Sequence, residues 1–205
     1  MRPVATPGRS GNSPYLECSL AHPQPTIIIL AAGRGERYRA SGGSTHKLDA
    51  LLGGIPVLQR VLAAVAETGL DAYVVRPQGD NSGMGDSIAR GVKATPDADG
   101  WLILPGDLGL ITADSIRQVA AAVRPDTVVL PHYQSRRGHP VAFPAQCFEA
   151  LSVLAGDTGA AAIVHAYRQA GRVLDLSVDD IGVALDIDSL DDLNTAEQTL
   201  ATQIP

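Results

Sequence analysis

An unbroken apolar run, Thr26-Ile27-Ile28-Ile29-Leu30-Ala31-Ala32, gives way abruptly to Gly33-Arg34-Gly35-Glu36-Arg37. Strands buried on both faces of a parallel sheet read as continuous apolar, β-branched runs of this kind. Small residues at the end of such a strand let another molecule approach the backbone. Successive N–H groups in the turn that follows can face an anion. Arg34, Arg37, Arg39 and Lys47 come next, with only Glu36 against them. The segment reads as a polyphosphate site at the end of a first strand.

The chain has 205 residues, 45% of them hydrophobic, which is enough for one substantial core. Its net charge of −6 argues against a general nucleic-acid partner, so an anionic substrate must be drawn by local cations. No apolar run approaches the length of a membrane span, and no membrane partner is expected. Residues 1–25, rich in Pro, Gly and Ser, read as a flexible extension rather than a secretory signal, with the folded domain spanning 26–205. Cys18 and Cys147 are too few for a disulfide scaffold and lack metal-site spacing; a reducing, cytoplasmic setting is the expectation.

Strand-like and helix-like segments alternate along the chain. Helices are predicted at Pro56–Thr68, with Gly69 as its cap, and at 114–123, 159–170 and 190–202. Residues 82–92 read as a loop followed by a helix. Strands are predicted at 72–75, 101–104, 127–130, 140–143, 173–176 and 184–187. This alternation predicts an α/β fold, a Rossmann-like three-layer arrangement with a mostly parallel sheet between helices. Ligands of such sheets bind at the carboxyl ends of the strands.

The residues able to carry chemistry cluster at those ends. Trp101-Leu102-Ile103-Leu104-Pro105-Gly106-Asp107 brings a carboxylate to the end of a strand, where it can hold a divalent cation bridging phosphate oxygens or simply occupy a turn. Asp186 and Asp188, two apart, would share one face of a strand and repel unless compensated. Asp188 or Ser189 also suits the cap of the helix from Leu190, leaving Asp186 the better metal ligand. Lys47 is a phosphate partner or a solvated surface lysine. The glycines of Asn81-Ser82-Gly83-Met84-Gly85-Asp86-Ser87 let backbone meet a base or ribose, or serve as ordinary helix entry. Arg136-Arg137-Gly138-His139-Pro140 is a basic turn whose histidine is a general acid or base, or a structural group. Gly156-Asp157-Thr158-Gly159-Ala160 looks like a loop and N-cap. The third glycine of a dinucleotide fingerprint is replaced by Tyr38, and no Walker lysine follows. His22, His46, His132 and His165 show no zinc spacing. No nucleophile elbow or Cys–His pair is present, which suits phosphoryl or nucleotidyl transfer, a chemistry of positioning and charge neutralisation.

Taken in order, Leu30 to Arg37, Lys47-Leu48, Gly83 to Ser87, the strand ending at Asp107, Arg137 to Pro140, Gly156 to Ala160 and Asp186 to Ser189 resemble the molybdenum cofactor nucleotidyltransferases, most closely the cytidylyltransferases. The resemblance implies Mg²⁺, a nucleoside triphosphate (CTP favoured), a molybdopterin-type acceptor and release of pyrophosphate. A molybdoenzyme or its maturation factor would be a further partner. Carried over by position, Arg37, Lys47 and Asp107 would be catalytic. Leu30, Ala31, Ala32, Gly33, Arg34, Gly35, Lys47, Gly83, Met84, Gly85 and Ser87 would bind the nucleotide. Arg137, Gly138, His139, Gly156, Asp157 and Gly159 would bind the acceptor. Asp107 and Asp186, less so Asp188, would hold the metal. Ala32 stands where cytidylyl enzymes carry Ala and guanylyl enzymes Gly. Two departures mark this chain: residues 40–45 lengthen the loop before Lys47 and are expected to be mobile, and Leu108-Gly109 follows Asp107 where the family has a polar residue or Met, then Pro. Guanylyl transfer to molybdopterin or another small phosphate, and a non-catalytic cofactor carrier, stay open as alternatives.

Overall fold

The computed structural model describes residues 24–77 and 83–203. Residues 1–23, 78–82 and 204–205 lie outside the described residues, and with them Cys18, His22, Asn81, Ser82 and nearly all of the proposed extension.

In chain order the elements are β1 (Thr26–Leu30), α1 (Glu36–Ala40), β2 (Leu51–Leu52), β3 (Ile55–Pro56), α2 (Val57–Thr68), β4 (Ala72–Val75), α3 (Met84–Ala94), β5 (Gly100–Pro105), α4 (Ala113–Ala121), β6 (Val128–Tyr133), β7 (Arg136–Arg137), β8 (Val141–Pro144), α5 (Phe148–Ser152), α6 (Ala161–Gln169), β9 (Val173–Ser177) and α7 (Leu190–Gln203). The main sheet runs β4-β1-β5-β8-β6-β7, with β9 also paired to β6. β1 is parallel to β4 and β5, and β6 is parallel to β9. β8 lies antiparallel between β5 and β6. The sheet is therefore mostly parallel, as expected.

Both faces of β1 are covered, which explains its unbroken run of apolar residues from Ile27 to Leu30. Ile27 and Ile29 pack with Leu102, Leu104, Val61 and Val65, and with Ile116 and Val119 of α4. Ile28 points the other way, to Trp101, Ile103, Phe143 and to Ile88 and Val92 of α3. Fully burying each such side chain stabilises the fold by roughly 1.5–3 kcal/mol. Leu30 pairs with Pro105, and the Gly106 N–H donates to the Leu30 carbonyl at 3.0 Å. This register sets the glycine-rich turn beside Asp107.

Several expectations are corrected. Residues 184–187 form no strand; they are irregular chain in which Leu185 and Ile187 pack with Tyr38, Leu52, Val57 and Ala196 in a separate cluster against α7, while Asp186 is exposed. The Ile187 N–H donates to the Asp107 carbonyl at 3.2 Å, holding this segment at the end of β5. Pro56 ends β3 and precedes α2 instead of occupying its first turn. Residues 36–40 are a short helix entered through Gly35 at φ 63, a left-handed conformation that glycine adopts freely. The lengthened loop folds back on the buried Tyr38, whose carbonyl accepts from Gly43 N–H and Ser41 Oγ. Ser41 Oγ in turn accepts from the Leu190 N–H at 3.0 Å. The unusual Leu108-Gly109 also has a packing reason. Leu108 is fully buried, and a Cβ on Gly109 would come within 2.9 Å of Leu52. Arg60 donates to the Gly109 carbonyl at 2.8 Å and fixes that turn. Among the described residues no helix is long and apolar enough to cross a membrane.

Candidate active site

Lys47 stands at the centre of the site. Its Nζ donates to Asp107 Oδ2 at 2.5 Å and to Asp188 Oδ1 at 2.6 Å. Arg37 donates to the other oxygen of Asp188 at 2.9 Å. The Lys47 and Asp107 side chains retain 12% and 14% exposure and Asp188 30%, so the inner pair is largely shielded from water and from screening salt. Burial alone would lower the lysine's pKa, but the charges and hydrogen bonds of Asp107 and Asp188 outweigh it and raise it. Burial likewise opposes ionisation of Asp188, yet Lys47 and Arg37 hold its carboxyl below the usual range. The lysine is an ammonium and Asp188 a carboxylate at neutral pH. A reading of Lys47 as a solvated surface residue is thereby excluded.

The carboxylates expected to bind metal separate into two kinds. Asp107 lies in the turn two residues after β5, and its Oδ1 is enclosed with no hydrogen-bond partner among the described residues. Ser189 takes the cap of α7: its Oγ accepts from the Asp192 N–H at 3.2 Å, and Asp192 accepts from the Asp188 N–H and the Ser189 hydroxyl. That leaves the Asp188 carboxylate to Lys47, while Asp186 is exposed. An orphaned carboxylate oxygen beside further carboxylates suits a hard divalent cation. Among the described residues no three His, Cys, Asp or Glu side chains converge as a cage. A cation there would need phosphate oxygens or water to complete its shell, as Mg²⁺ commonly does.

A cleft of about 250 Å³ opens over these groups, lined by Leu30, Ala32, Gly33, Arg34, Lys47, Leu48, Gly83, Met84, Ser87, Pro105, Asp107 and Asp157. Ala31 is buried beneath it, and Arg34 pairs with Glu36 at its rim. His46 was not anticipated. Its Nδ1 accepts from the Leu48 N–H, so the proton sits on Nε2, which donates to the Gly33 carbonyl at 2.8 Å and braces the turn. No motif marks such a residue; only its adjacency to Lys47 offered a hint.

A second cavity of about 680 Å³ adjoins the first and shares Leu30, Met84 and Pro105 with it. Arg137, Gly138, His139 and Gly159 line it, beside His165, Arg168 and apolar residues of β5, β6, β8 and α6; Gly156 and Asp157 do not. Among the described residues its lining includes Arg137 and Arg168, the latter paired with Asp175, and no carboxylate, amide or hydroxyl side chain, so its charge favours an anion over a cation. His139 donates its N–H to the Val183 carbonyl, and its Nδ1 is enclosed without a partner. Burial pushes the imidazole below its usual 6.5, against the pull of the Ile103 backbone and of the Asp107 and Asp186 charges.

The glycines of Gly83-Met84-Gly85 also have a packing cause, and Gly83 lines the cleft as well. A Cβ on Gly83 would lie 2.1 Å from the Gly156 carbonyl, and one on Gly85 2.5 Å from the Thr158 oxygen. The start of α3 is pressed against residues 155–158, and the Gly85 N–H donates to the Gly156 carbonyl at 2.8 Å. Asp86 Oδ2 accepts from both Gly83 N–H and Gly156 N–H, at 2.9 and 3.0 Å, and ties the two loops together. The three-residue spacing from Gly83 to Asp86 is the acidic half of a capping box, a signal legible in the sequence. Residues 156–160 supply no side-chain cap to α6, whose N-cap is Ala160.

Comparison with known proteins fits this geometry. A nucleotidyl transferase from Methanothermobacter thermautotroptrophicus superposes with a TM-score of 0.74 at 20% identity, covering 88% of this chain and 99% of that one. A manganese complex of Rv0371C from Mycobacterium tuberculosis is 26% identical with a TM-score of 0.65, covering 86% and 99%. Molybdopterin-guanine dinucleotide biosynthesis protein A from Archaeoglobus fulgidus shares the fold at 12% identity, with a TM-score of 0.58 over 87% and 100%. A short stretch of 25 residues is 68% identical to the putative LysR family substrate binding domain-containing protein YagP of Escherichia coli, spanning 12% of this chain and 18% of that protein. Residues 27–172 match the MobA-like NTP transferase domain, which covers most of the chain and every strand from β1 to β8. The chain is a nucleotidyltransferase of the MobA-like NTP transferase family.

Proposed function

We propose that this protein transfers CMP from CTP to the phosphate of a molybdopterin-type acceptor, with Mg²⁺ bound, and releases pyrophosphate. The observation that carries this reading is the seam between the two cavities. The cleft, with Arg34 and Lys47 balanced by carboxylates, and the anion-favouring cavity share a wall, and Lys47 with Asp107 lines the first. A triphosphate in the cleft and a phosphate monoester in the neighbouring cavity would meet there.

The acceptor oxygen would form a new bond to the α-phosphorus as the bond to the β-phosphate oxygen breaks and pyrophosphate leaves. A phosphate monoester is largely ionised near neutral pH, so no protein nucleophile or general base is needed. This suits a His139 that burial keeps neutral. Lys47, Arg34, Arg37 and the N–H groups of the Gly33–Gly35 turn would neutralise charge on the phosphoryl oxygens. Asp107 and Asp188, with Asp186 beside them, would hold the Mg²⁺, whose contribution is to polarise the phosphates and orient the triphosphate. Asp188 ranks ahead of Asp186 because it shares a cation with Asp107. That a mycobacterial protein of this fold, 26% identical, forms a manganese complex supports a divalent ion as a partner here.

Preference for CTP rests on Ala32, whose methyl group lines the cleft and would take space that a purine needs. Such exclusion is worth roughly 1–3 kcal/mol, or about 10- to 200-fold. Pyrophosphate release with CTP, GTP and ATP, each with molybdopterin and Mg²⁺, tests the reading. CTP should be best, and Ala32→Gly should narrow its lead over GTP. A protein that favours GTP would be a guanylyltransferase, and one that turns over none of the three would be left as a carrier.

A further inference from the structure

The cations that a triphosphate needs are already committed in this structure. Lys47 Nζ lies 2.5 Å from Asp107 and 2.6 Å from Asp188, and Arg37 closes on the remaining oxygen of Asp188. Two cations and two carboxylates form a neutral cluster in which Lys47 and Asp107 are largely shielded and Arg37 stands exposed at the edge. A divalent ion approaching the carboxylates meets the ammonium where it would itself bind, and like charges at such range repel strongly. Without the ammonium, the two carboxylates would repel each other and attract any cation. The orphaned Asp107 Oδ1 shows that the lysine satisfies only half of that carboxylate.

We propose that Lys47 is the resident counter-ion of Asp107 and Asp188, yielding them to a divalent cation only when a triphosphate takes over its ammonium. This rests on the triphosphate reading of the cleft. Nucleotide and metal then bind as a coupled pair, and the nucleotide-free protein does not sequester metal. The same side chain serves as a placeholder for the cation before binding and as a phosphate partner after it.

The test uses Mn²⁺ alone, titrated by its electron paramagnetic resonance signal. Lys47→Met, which removes the charge and keeps the length, should bind Mn²⁺ roughly tenfold or more tightly than the unmutated protein. Adding Asp107→Asn to that variant should abolish the gain. Equal Mn²⁺ affinity with and without Lys47, or a gain that survives Asp107→Asn, overturns the proposal. A second measurement needs no substitution at Lys47. The chain has two lysines, Lys47 and Lys93, so ¹³Cε-lysine labelling gives two signals, assigned with Lys93→Arg. The Lys47 signal should stay in place with Mg²⁺ alone and move when a CTP analogue carrying an α,β-methylene bridge is added with Mg²⁺. A Lys47 signal unmoved while calorimetry shows the analogue bound overturns the exchange and leaves the triphosphate site standing. An analogue that does not bind at all overturns both.

Discussion

Asp107, Asp186 and Asp188 carry the same group in three different electrostatic settings, and their substitutions should separate accordingly. Asp107→Asn removes the one carboxylate that has both a lysine partner and a free enclosed oxygen. Its pyrophosphate release should fall by about 10²–10³ in a correctly folded protein. Asp188→Asn should be comparably damaging, because it frees both Lys47 and Arg37 from a carboxylate partner. Asp186→Asn should cost far less; the reverse order would make Asp186 the second ligand. His139 gives a pH signature of a different kind. Its folded pKa lies below 6.5, so between that value and about 6.5 the unfolded chain binds a proton that the native state refuses. The associated stability is complete above about pH 6.5 and declines as pH falls through that window. The urea midpoint should drop between about pH 7.5 and about pH 5, and by less in His139→Gln. An identical drop in the variant would remove His139 as the source.

At the level of elements, the clamp between α3 and residues 155–158 joins a wall of the cleft to a wall of the second cavity. Met84 lines both, Asp157 the first and Gly159 the second. A single oxygen of Asp86 accepts both N–H groups, so Asp86→Asn can keep the clamp while Asp86→Ala cannot. KM for triphosphate and for acceptor should rise together in Asp86→Ala and recover in Asp86→Asn. A rise in only one of them would mean that the two loops work independently. The same elements show how far the sequence could be read. β1, β5 and α2 were legible because burial on both faces, or on one helical stripe, writes itself into local periodicity. Asp107 was legible with them, as the polar residue that stops an apolar run. Residues 184–187 carry apolar residues like a strand, but their burial comes from α7 and the β2–β3 hairpin, not from a ladder. The five-residue α1 buries only Tyr38 and has too few turns to show a period. The pairing of Lys47 with Asp188 spans 141 positions, and that of Asp86 with the Gly156 N–H spans 70. Such contacts leave no local trace.

Across the whole molecule, the antiparallel β8 separates two cavities of different character. β1 and β5 present their carboxyl ends to the cleft, whereas β8, inserted between β5 and β6, lends Val141 and Phe143 to the floor of the neighbouring cavity. Leu30, Met84 and Pro105 form the boundary, so the two sites are adjacent but differently walled. Filling one should therefore spare the other. Val164, on α6, lines only the larger cavity and is not fully buried. Val164→Phe places the added ring volume in open space, so it should escape the roughly 1–3 kcal/mol strain of overpacking a closed core. Melting should confirm a stable fold. Calorimetry should then show the affinity for Mg²⁺ and the non-cleavable CTP analogue unchanged, while KM for the acceptor rises by about tenfold or more, the equivalent of losing roughly ten well-packed atom–atom contacts. A variant in which nucleotide affinity falls as far as acceptor affinity would mean that the two cavities act as one site, and that the acceptor enters by the same cleft as the triphosphate.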